Sequence, residues 1–455
     1  MKQTDTKKLS LFALTWPIFI EILLHMLMGG NADTLMLSQY SDHSVAAVGV
    51  SNQVLSVVIV MFGFVAAGGA SILVAQNLGA EQPKTAGKIA VTSISLNLWF
   101  SLALSIILFV FSDFILRLMD LPEELMDEAS TYMNIVGGFM FIQALIMTVA
   151  AILRSYGYTK DTMYVTIGMN ILNVIGNYFV IFGPYGFPVL GVEGVAYVTM
   201  FSRFIGFIIL LFILVWRSNR QLPFSAFFRY EKKHVKSLMQ IGIPSAGEQL
   251  SYNTSQMAIT YFIAQMGTIA LTTKVYVQNL MMFILLFSIA IGQGTQILIG
   301  HMIGGAGDMD KAYHRCVKSL KIAILISTIM AILFYSFSPT LLGIFTNDTT
   351  IIEKGMLLLL VTIILEPGRA FNLVVINSLR AAGDVKFPVV IGIASMWGGI
   401  SVIFAWFFGI FLGLGLIGVW IAFIADEWLR GILMLRRWRS KIWMQKAFVK
   451  KEVAE

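Results

Sequence analysis

The sequence predicts an all-α integral membrane protein, with twelve transmembrane helices in two pseudo-symmetric six-helix bundles. Three observations predict it: composition, the placement of basic residues, and an internal parallel repeat. Of 455 residues, 57% are hydrophobic and only 13% are charged, against roughly 25% charged in an ordinary soluble domain. So few charges cannot cover that much apolar surface, which excludes a soluble enzyme, a nucleic-acid binder, a secreted scaffold and a disordered chain. One cysteine, Cys316, permits no internal disulfide. Residues 1–8 are polar and run directly into an apolar stretch too long for a signal-peptide core, so no cleavable signal is expected.

Apolar runs long enough to cross a bilayer follow one another between short polar breaks. The first, 9–38, follows Lys2, Lys7 and Lys8, contains Pro17 and includes Gly29-Gly30. The second, 45–77, contains Gly68-Gly69 and leads to Lys84 and Lys88. The third, 88–111, ends at an acidic loop, 112–128, holding Asp113, Asp120, Glu123, Glu124, Asp127 and Glu128. The fourth, 129–154, contains Gly137-Gly138 and leads to Arg154 and Lys160. The fifth and sixth, 161–183 and 192–216, precede a polar stretch with Arg217, Arg220, Arg229, Lys232, Lys233 and Lys236. The seventh, 236–265, contains Pro244, and the eighth, 275–303, precedes Lys311, Arg315, Lys318 and Lys321. The ninth is 317–337. The tenth, 353–380, contains Pro367 and leads to Arg380 and Lys386. The eleventh and twelfth are 386–409 and 414–435, followed by Arg436, Arg437, Arg439, Lys441, Lys446, Lys450 and Lys451. The prolines mark kink sites, and the small residues let helix backbones approach closely in lipid.

Most of the 32 basic residues thus fall on one side, and the opposite loops hold only Arg117, Lys274 and Lys354. The positive-inside rule places both termini in the cytoplasm of a multi-pass cell (inner or plasma) membrane protein. The net charge of +7 then reflects topology and contact with anionic lipid.

The chain also repeats at half its length. Pro17 and Glu21 recur as Pro244 and Glu248. Gln53, Gly69, Ile72, Leu73 and Gly79 recur as Gln278, Gly294, Ile297, Leu298 and Gly304. Leu153-Arg154-x-x-Gly157-x-x-Lys160 recurs as Leu379-Arg380-x-x-Gly383-x-x-Lys386, and Gly191-x-x-Gly194-Val195 as Gly415-x-x-Gly418-Val419. An even number of spans per half makes the repeat parallel. The expected domains are an N-lobe (1–216), a cytoplasmic linker (217–236), a C-lobe (237–438) and a basic tail (439–455). Duplication of this kind suits a machine whose halves rock about a central cavity.

A charge near a helix centre costs about 2.5–3.5 kcal/mol on insertion scales, so charges within spans are informative. Glu366 with Arg369 and Asp426 with Arg430 have spacings that put each pair on one helix face. Self-neutralised packing and a cavity role are both open for them. Arg203 has no partner in its own span. Asp33 has no basic residue within a turn, and its repeat equivalent is Thr260, so the acid is present in one half only. That asymmetry argues for function over architecture. Glu21 and Glu248 stand in both halves, four residues after a proline. Each either accepts hydrogen bonds beside a kink or faces the cavity. Asn173 and Asn177 lie on one face of the fifth span and with Asp33 would form an oxygen-rich site. No P-loop, Gly-x-Ser-x-Gly, His-Glu-x-x-His or Cys-x-x-Cys motif occurs. The sequence therefore predicts no catalytic residue, no metal site, no cofactor and no direct use of ATP.

Several patterns taken in order resemble the multidrug and toxic compound extrusion (MATE) family, bacterial type. They are Pro17 with Asp33-Thr34-Leu35-Met36, Ala46-Ala47-Val48-Gly49, the paired Leu-Arg-x-x-Gly motifs, and Asn173-x-x-x-Asn177 before Ile181-Phe182-Gly183. Glu366-Pro367-Gly368-Arg369 and Asp426-Glu427-Trp428-Leu429-Arg430 complete the resemblance, which covers essentially the whole chain. It implies antiport by alternating access between two lobes, with a proton or sodium gradient driving export of cationic, amphipathic drugs and toxic organic compounds. It also implies that Asp33 is the N-lobe cation-coupling aspartate, completed by Asn173 and Asn177. Many members carry an acid where this chain has Asn177. The lower negative charge weakens a dehydrated sodium site more than a protonation site, which favours protons. Glu21, Glu248, Glu366 and Arg369 are the expected cavity residues. Arg154, Gly157, Arg380 and Gly383 form the paired cytoplasmic motif. A flippase of a lipid-linked intermediate in the same superfamily would line its cavity with cationic residues. Here the unpaired membrane charges are mostly acidic. A membrane-embedded enzyme would need a nucleophile or metal cluster.

Overall fold

The computed structural model describes residues 9–28, 31–63, 68–218, 222–305, 309–398 and 400–449. Lys2, Lys7, Lys8, Gly29-Gly30, Arg220, Lys450 and Lys451 lie outside them. Among the described residues every regular element is helical. In order they are α1 (Leu11–Met28), α2 (Asn31–Leu37), α3 (Asp42–Phe62), α4 (Gly69–Gly79), α5 (Pro83–Val110), α6 (Ser112–Leu118), α7 (Glu123–Tyr132), α8 (Phe141–Ser155) and α9 (Thr159–Phe182). Then come α10 (Gly191–Arg217), α11 (Lys232–Gln265), α12 (Thr268–Gly304), α13 (Met309–Ser336), α14 (Ser338–Gly343), α15 (Thr349–Ala381), α16 (Lys386–Trp397), α17 (Ser401–Trp406) and α18 (Gly415–Arg439).

Among the described residues, nine helices, or helix pairs read as one, are long and apolar enough to cross a membrane. A tenth is the pair Glu123–Gly137 and Phe141–Ser155, bent by 41°. Two more helices have the length but not the composition. α11 spans 34 residues and α18 spans 25, and about 20 suffice. Their charged and amide side chains make them less apolar than the rest, and several of those charges are held in ion pairs. Counting them gives the twelve expected spans.

The helices gather into two compact units. One comprises Met1–Phe19, Ala75–Glu81 and Pro244–Glu455, the other Ile20–Val74 and Gln82–Ile243. In the first, α15 is the axis, packed by α12, α13 and α18. Of its apolar window 67% is buried, against 28–50% for the other candidate spans, so it is enclosed by protein where they face outward. Asp348 caps its start, accepting from the Thr350 amide at 2.8 Å. In the second unit α9 packs on α10, α5 on α8 and α3 on α7.

The repeated Leu-Arg-x-x-Gly motif has a structural cause. It ends α8 and α15, with Gly157 and Gly383 at φ +89° and +90°. In both halves the same two bonds close the helix. Gly157 N donates to Arg154 O and Gly383 N to Arg380 O, each at 2.9 Å. Tyr158 N donates to Leu153 O and Asp384 N to Leu379 O, each at 3.0 Å. This is a Schellman-type stop, and its positive φ favours glycine.

Candidate functional site

Asp33 sits on α2 and is 3% exposed. Side chains from two other helices and a third converge on its carboxylate. From α9, Asn177 Nδ2 donates to Oδ1 at 2.7 Å. From α10, the Thr199 hydroxyl donates to Oδ2 at 3.0 Å. From the end of α7, the Tyr132 hydroxyl reaches Oδ2 at 3.4 Å. Tyr132 also reaches Asn52 Oδ1 on α3 at 3.3 Å. Asn173 supports the ring: its Nδ2 donates to Thr199 at 3.0 Å, and its Oδ1 lies 3.3 Å from Asn177 Nδ2. The structure therefore brings Asp33, Asn173 and Asn177 together, as the sequence predicts. Thr199, Tyr132 and Asn52 carried no signal in the sequence.

The three donors to Asp33 are neutral. Arg203 on α10 is within electrostatic reach, and its buried Nη1 has no hydrogen-bond partner. The buried Asn177 Oδ1 is also unpartnered. A carboxylate held this way can exchange a proton with little rebuilding, because hydroxyl donors rotate to become acceptors. Beside α9, an open apolar groove of about 270 Å³ is lined by Leu24, Met28, Ile167, Ile171, Val174 and Ile175 together with Asn170. Asn170 stands one turn from Asn173 on the same helix.

Glu21 and Glu248 have other partners. Arg154 Nη1 donates to Glu21 Oε1 at 2.6 Å, and Thr162 donates to its Oε2 at 2.9 Å. Glu248 is bound by Arg380 in the same manner. Each glutamate after a proline thus meets the arginine of the Leu-Arg-x-x-Gly motif of its own half. The two recurrences, read separately in the sequence, are one interaction made twice. The joint recurrence of Glu21 with Arg154 and Glu248 with Arg380 was the signal that could have revealed it.

Glu366 belongs to a different cluster. It is fully buried on α15, and Arg369 Nη1 donates to its Oε1 at 2.8 Å. Arg369 Nε lies 3.7 Å from Glu427 on α18. Arg430 contacts Asp426 at 2.7 Å and Glu427 at 3.1 Å. Asn372 donates to Glu427 at 2.8 Å, and Ser395 donates to Asp426. Two guanidiniums and two neutral donors thus bind three carboxylates in one network across α15, α16 and α18. Both pairs expected on single helix faces form, and they join. The other oxygen of Glu366, Oε2, is buried without a partner. Among the described residues no cluster of three or more His, Cys, Asp or Glu has metal-binding geometry.

A MatE family profile matches residues 17–179 and again 244–407, one match in each half. A protein of Bacillus subtilis (strain 168), described as uncharacterized transporter YisQ, is 58% identical over 446 residues, covering 98% of this chain and 97% of its own length. The probable multidrug resistance protein NorM of Thermotoga maritima is 29% identical over 446 residues, covering 97% of this chain and 94% of its own. Among solved structures, the Vibrio cholerae MATE transporter VcmN in the bent form is similar with a TM-score of 0.87. It is 19% identical and covers 95% of this chain and 97% of that one. At that identity the likeness is one of fold.

Proposed function

The chain belongs to the MatE family of transporters, and from that premise we propose that it is a cation-coupled antiporter exporting cationic, amphipathic compounds across the cell membrane. The single observation that carries the reading is Asp33: a buried carboxylate with three neutral donors, present in one half of a duplicated chain. Antiport requires that cation and cargo bind in exchange. Protonation removes the charge that a cationic cargo would pair with, and deprotonation restores it. The hydroxyls of Thr199 and Tyr132 adapt to either state. Protons are preferred over sodium because the ring offers one acid and mostly donors, where sodium asks for several free oxygens. The apolar groove beside Asn170 suits the hydrophobic part of an amphipathic cargo. Lobes 1–216 and 237–438 would exchange access, with both termini and the 217–236 linker cytoplasmic.

The test is transport in proteoliposomes under an imposed proton or sodium gradient, with a panel of cationic dyes. The reading expects efflux driven by the proton gradient. Sodium-stimulated efflux at fixed pH, with no response to a proton gradient, overturns the proton preference. Absence of transport of every cationic dye under either gradient overturns the cargo class. Cysteine labelling checks topology: positions in 112–128 and 339–352 should label from outside, and positions in 217–236 from inside. The native Cys316 is buried, which keeps the background low.

A further inference from the structure

Far from Asp33 in sequence, the segment after α10 folds back onto the start of α5. Ser95 on α5 donates to the Phe227 carbonyl at 2.7 Å and meets the Tyr230 hydroxyl at 3.0 Å. The fold-back borders a half-open cavity of about 210 Å³ lined by Lys88, Thr92, Pro223, Ser225, Arg229, Glu231 and His234. Its chemistry is that of an anion site. Lys88 is satisfied by Glu231 at 2.7 Å, and that pair is neutral. Arg229 then remains as the uncompensated charge on the wall. Thr92, 1% exposed, and Ser225 supply hydroxyl donors.

The second, independent sign is His234. It is 8% exposed, and its Nδ1 is buried with no hydrogen-bond partner. Its other nitrogen, Nε2, faces Glu231 at 3.7 Å, so the carboxylate favours a proton on Nε2 while Nδ1 awaits a partner. Burial holds the imidazole below its ordinary pKa, with Lys88 and Lys233 adding to that effect and Glu231 opposing it. An anion at the cavity would reverse the balance and favour a second proton on Nδ1, which then donates to it. The surroundings identify the source of the anion. Phe224 and Phe228 on the folded-back segment are 53% and 74% exposed and stand beside the exposed Tyr230, and an exposed tyrosine next to apolar side chains on a membrane protein marks the interfacial, headgroup level.

We propose that this cavity binds the phosphate of an anionic phospholipid, with Arg229, Thr92, Ser225 and His234 as its donors and the acyl chains lying along Phe224 and Phe228. Basic pockets at the membrane surface recognise lipid headgroups in this way. The occupant would pin the inter-lobe segment to α5.

Native mass spectrometry of the full chain in detergent tests this, after delipidation and titration with phosphatidylglycerol or phosphatidylcholine. The expected result is retention of one phosphatidylglycerol in preference to phosphatidylcholine. Arg229→Gln should weaken it about fivefold, the effect of one basic residue at a membrane surface. Glu231→Gln should strengthen it by freeing Lys88, a gain that misfolding cannot imitate. Equal retention of the two lipids, or no change in either variant, overturns the proposal. Full displacement of phosphatidylglycerol by millimolar inorganic phosphate overturns the lipid as the source and assigns the cavity to a free anion.

Discussion

Two groups of buried acids can be set side by side. Asp33 in one unit is held by an amide and two hydroxyls. Glu366, Asp426 and Glu427 in the other are each in contact with a guanidinium. A buried carboxylate bound to a guanidinium loses much more than a proton if it is neutralised, because the partner is left as an uncompensated charge. A carboxylate bound to neutral donors breaks no hydrogen-bonded ion pair when it is neutralised, and Arg203 reaches Asp33 only through its field. The difference separates an acid that can titrate during a transport cycle from acids that hold helices together. Glu21 and Glu248 fall on the structural side, with the same partner type in both halves.

The comparison breaks most visibly at Arg430. Arg430→Met leaves Asp426 and Glu427 without their closest cation, and such a loss costs about 3–5 kcal/mol. Little folded protein should survive gel filtration. Glu366→Gln should cost less, about 3 kcal/mol, because Arg369 keeps Glu427 at 3.7 Å. Thermal unfolding in detergent should show a clear loss, and a protein with normal stability and full efflux would move Glu366 out of the structural class. Glu21→Gln and Glu248→Gln should each cost about 1–3 kcal/mol and, more tellingly, should cost the same. A large difference in yield between them would end the reading of one interaction made twice. Smallest are Gly157→Ala and Gly383→Ala, about 1–2 kcal/mol each for a side chain at positive φ. Gly383→Ala should cost more than this strain alone, since its new Cβ would stand 2.2 Å from the Lys446 carbonyl.

Much of the fold was legible because lipid imposes a simple rule on a chain. Runs of apolar residues and one-sided lysines and arginines located the spans, and α9 and α10 fall within a residue or two of the ranges expected. The short helices α6 and α14 were not legible, since six or seven residues carry too little periodicity to separate them from loops. Asp33, Asn173 and Asn177 stood out because amides and acids are costly in lipid. Thr199 and Tyr132 did not, because hydroxyls are common in membrane helices and their role depends on which helix packs opposite. Arg154 and Arg380 were visible as a motif, but their partners are more than a hundred residues away in sequence, and only the fold joins them.

Asp33→Asn, assayed in parallel for folding, drug binding and gradient-driven efflux, tests the central claim most directly. Its hydrogen-bond partners are neutral: the amide oxygen of the variant can still accept from Asn177, and its NH2 can donate to the Thr199 and Tyr132 hydroxyls, which rotate to accept, so the account predicts a protein that folds and binds drug but no longer couples export to the gradient. Efflux at the parent rate from this variant would contradict it and remove Asp33 from the mechanism.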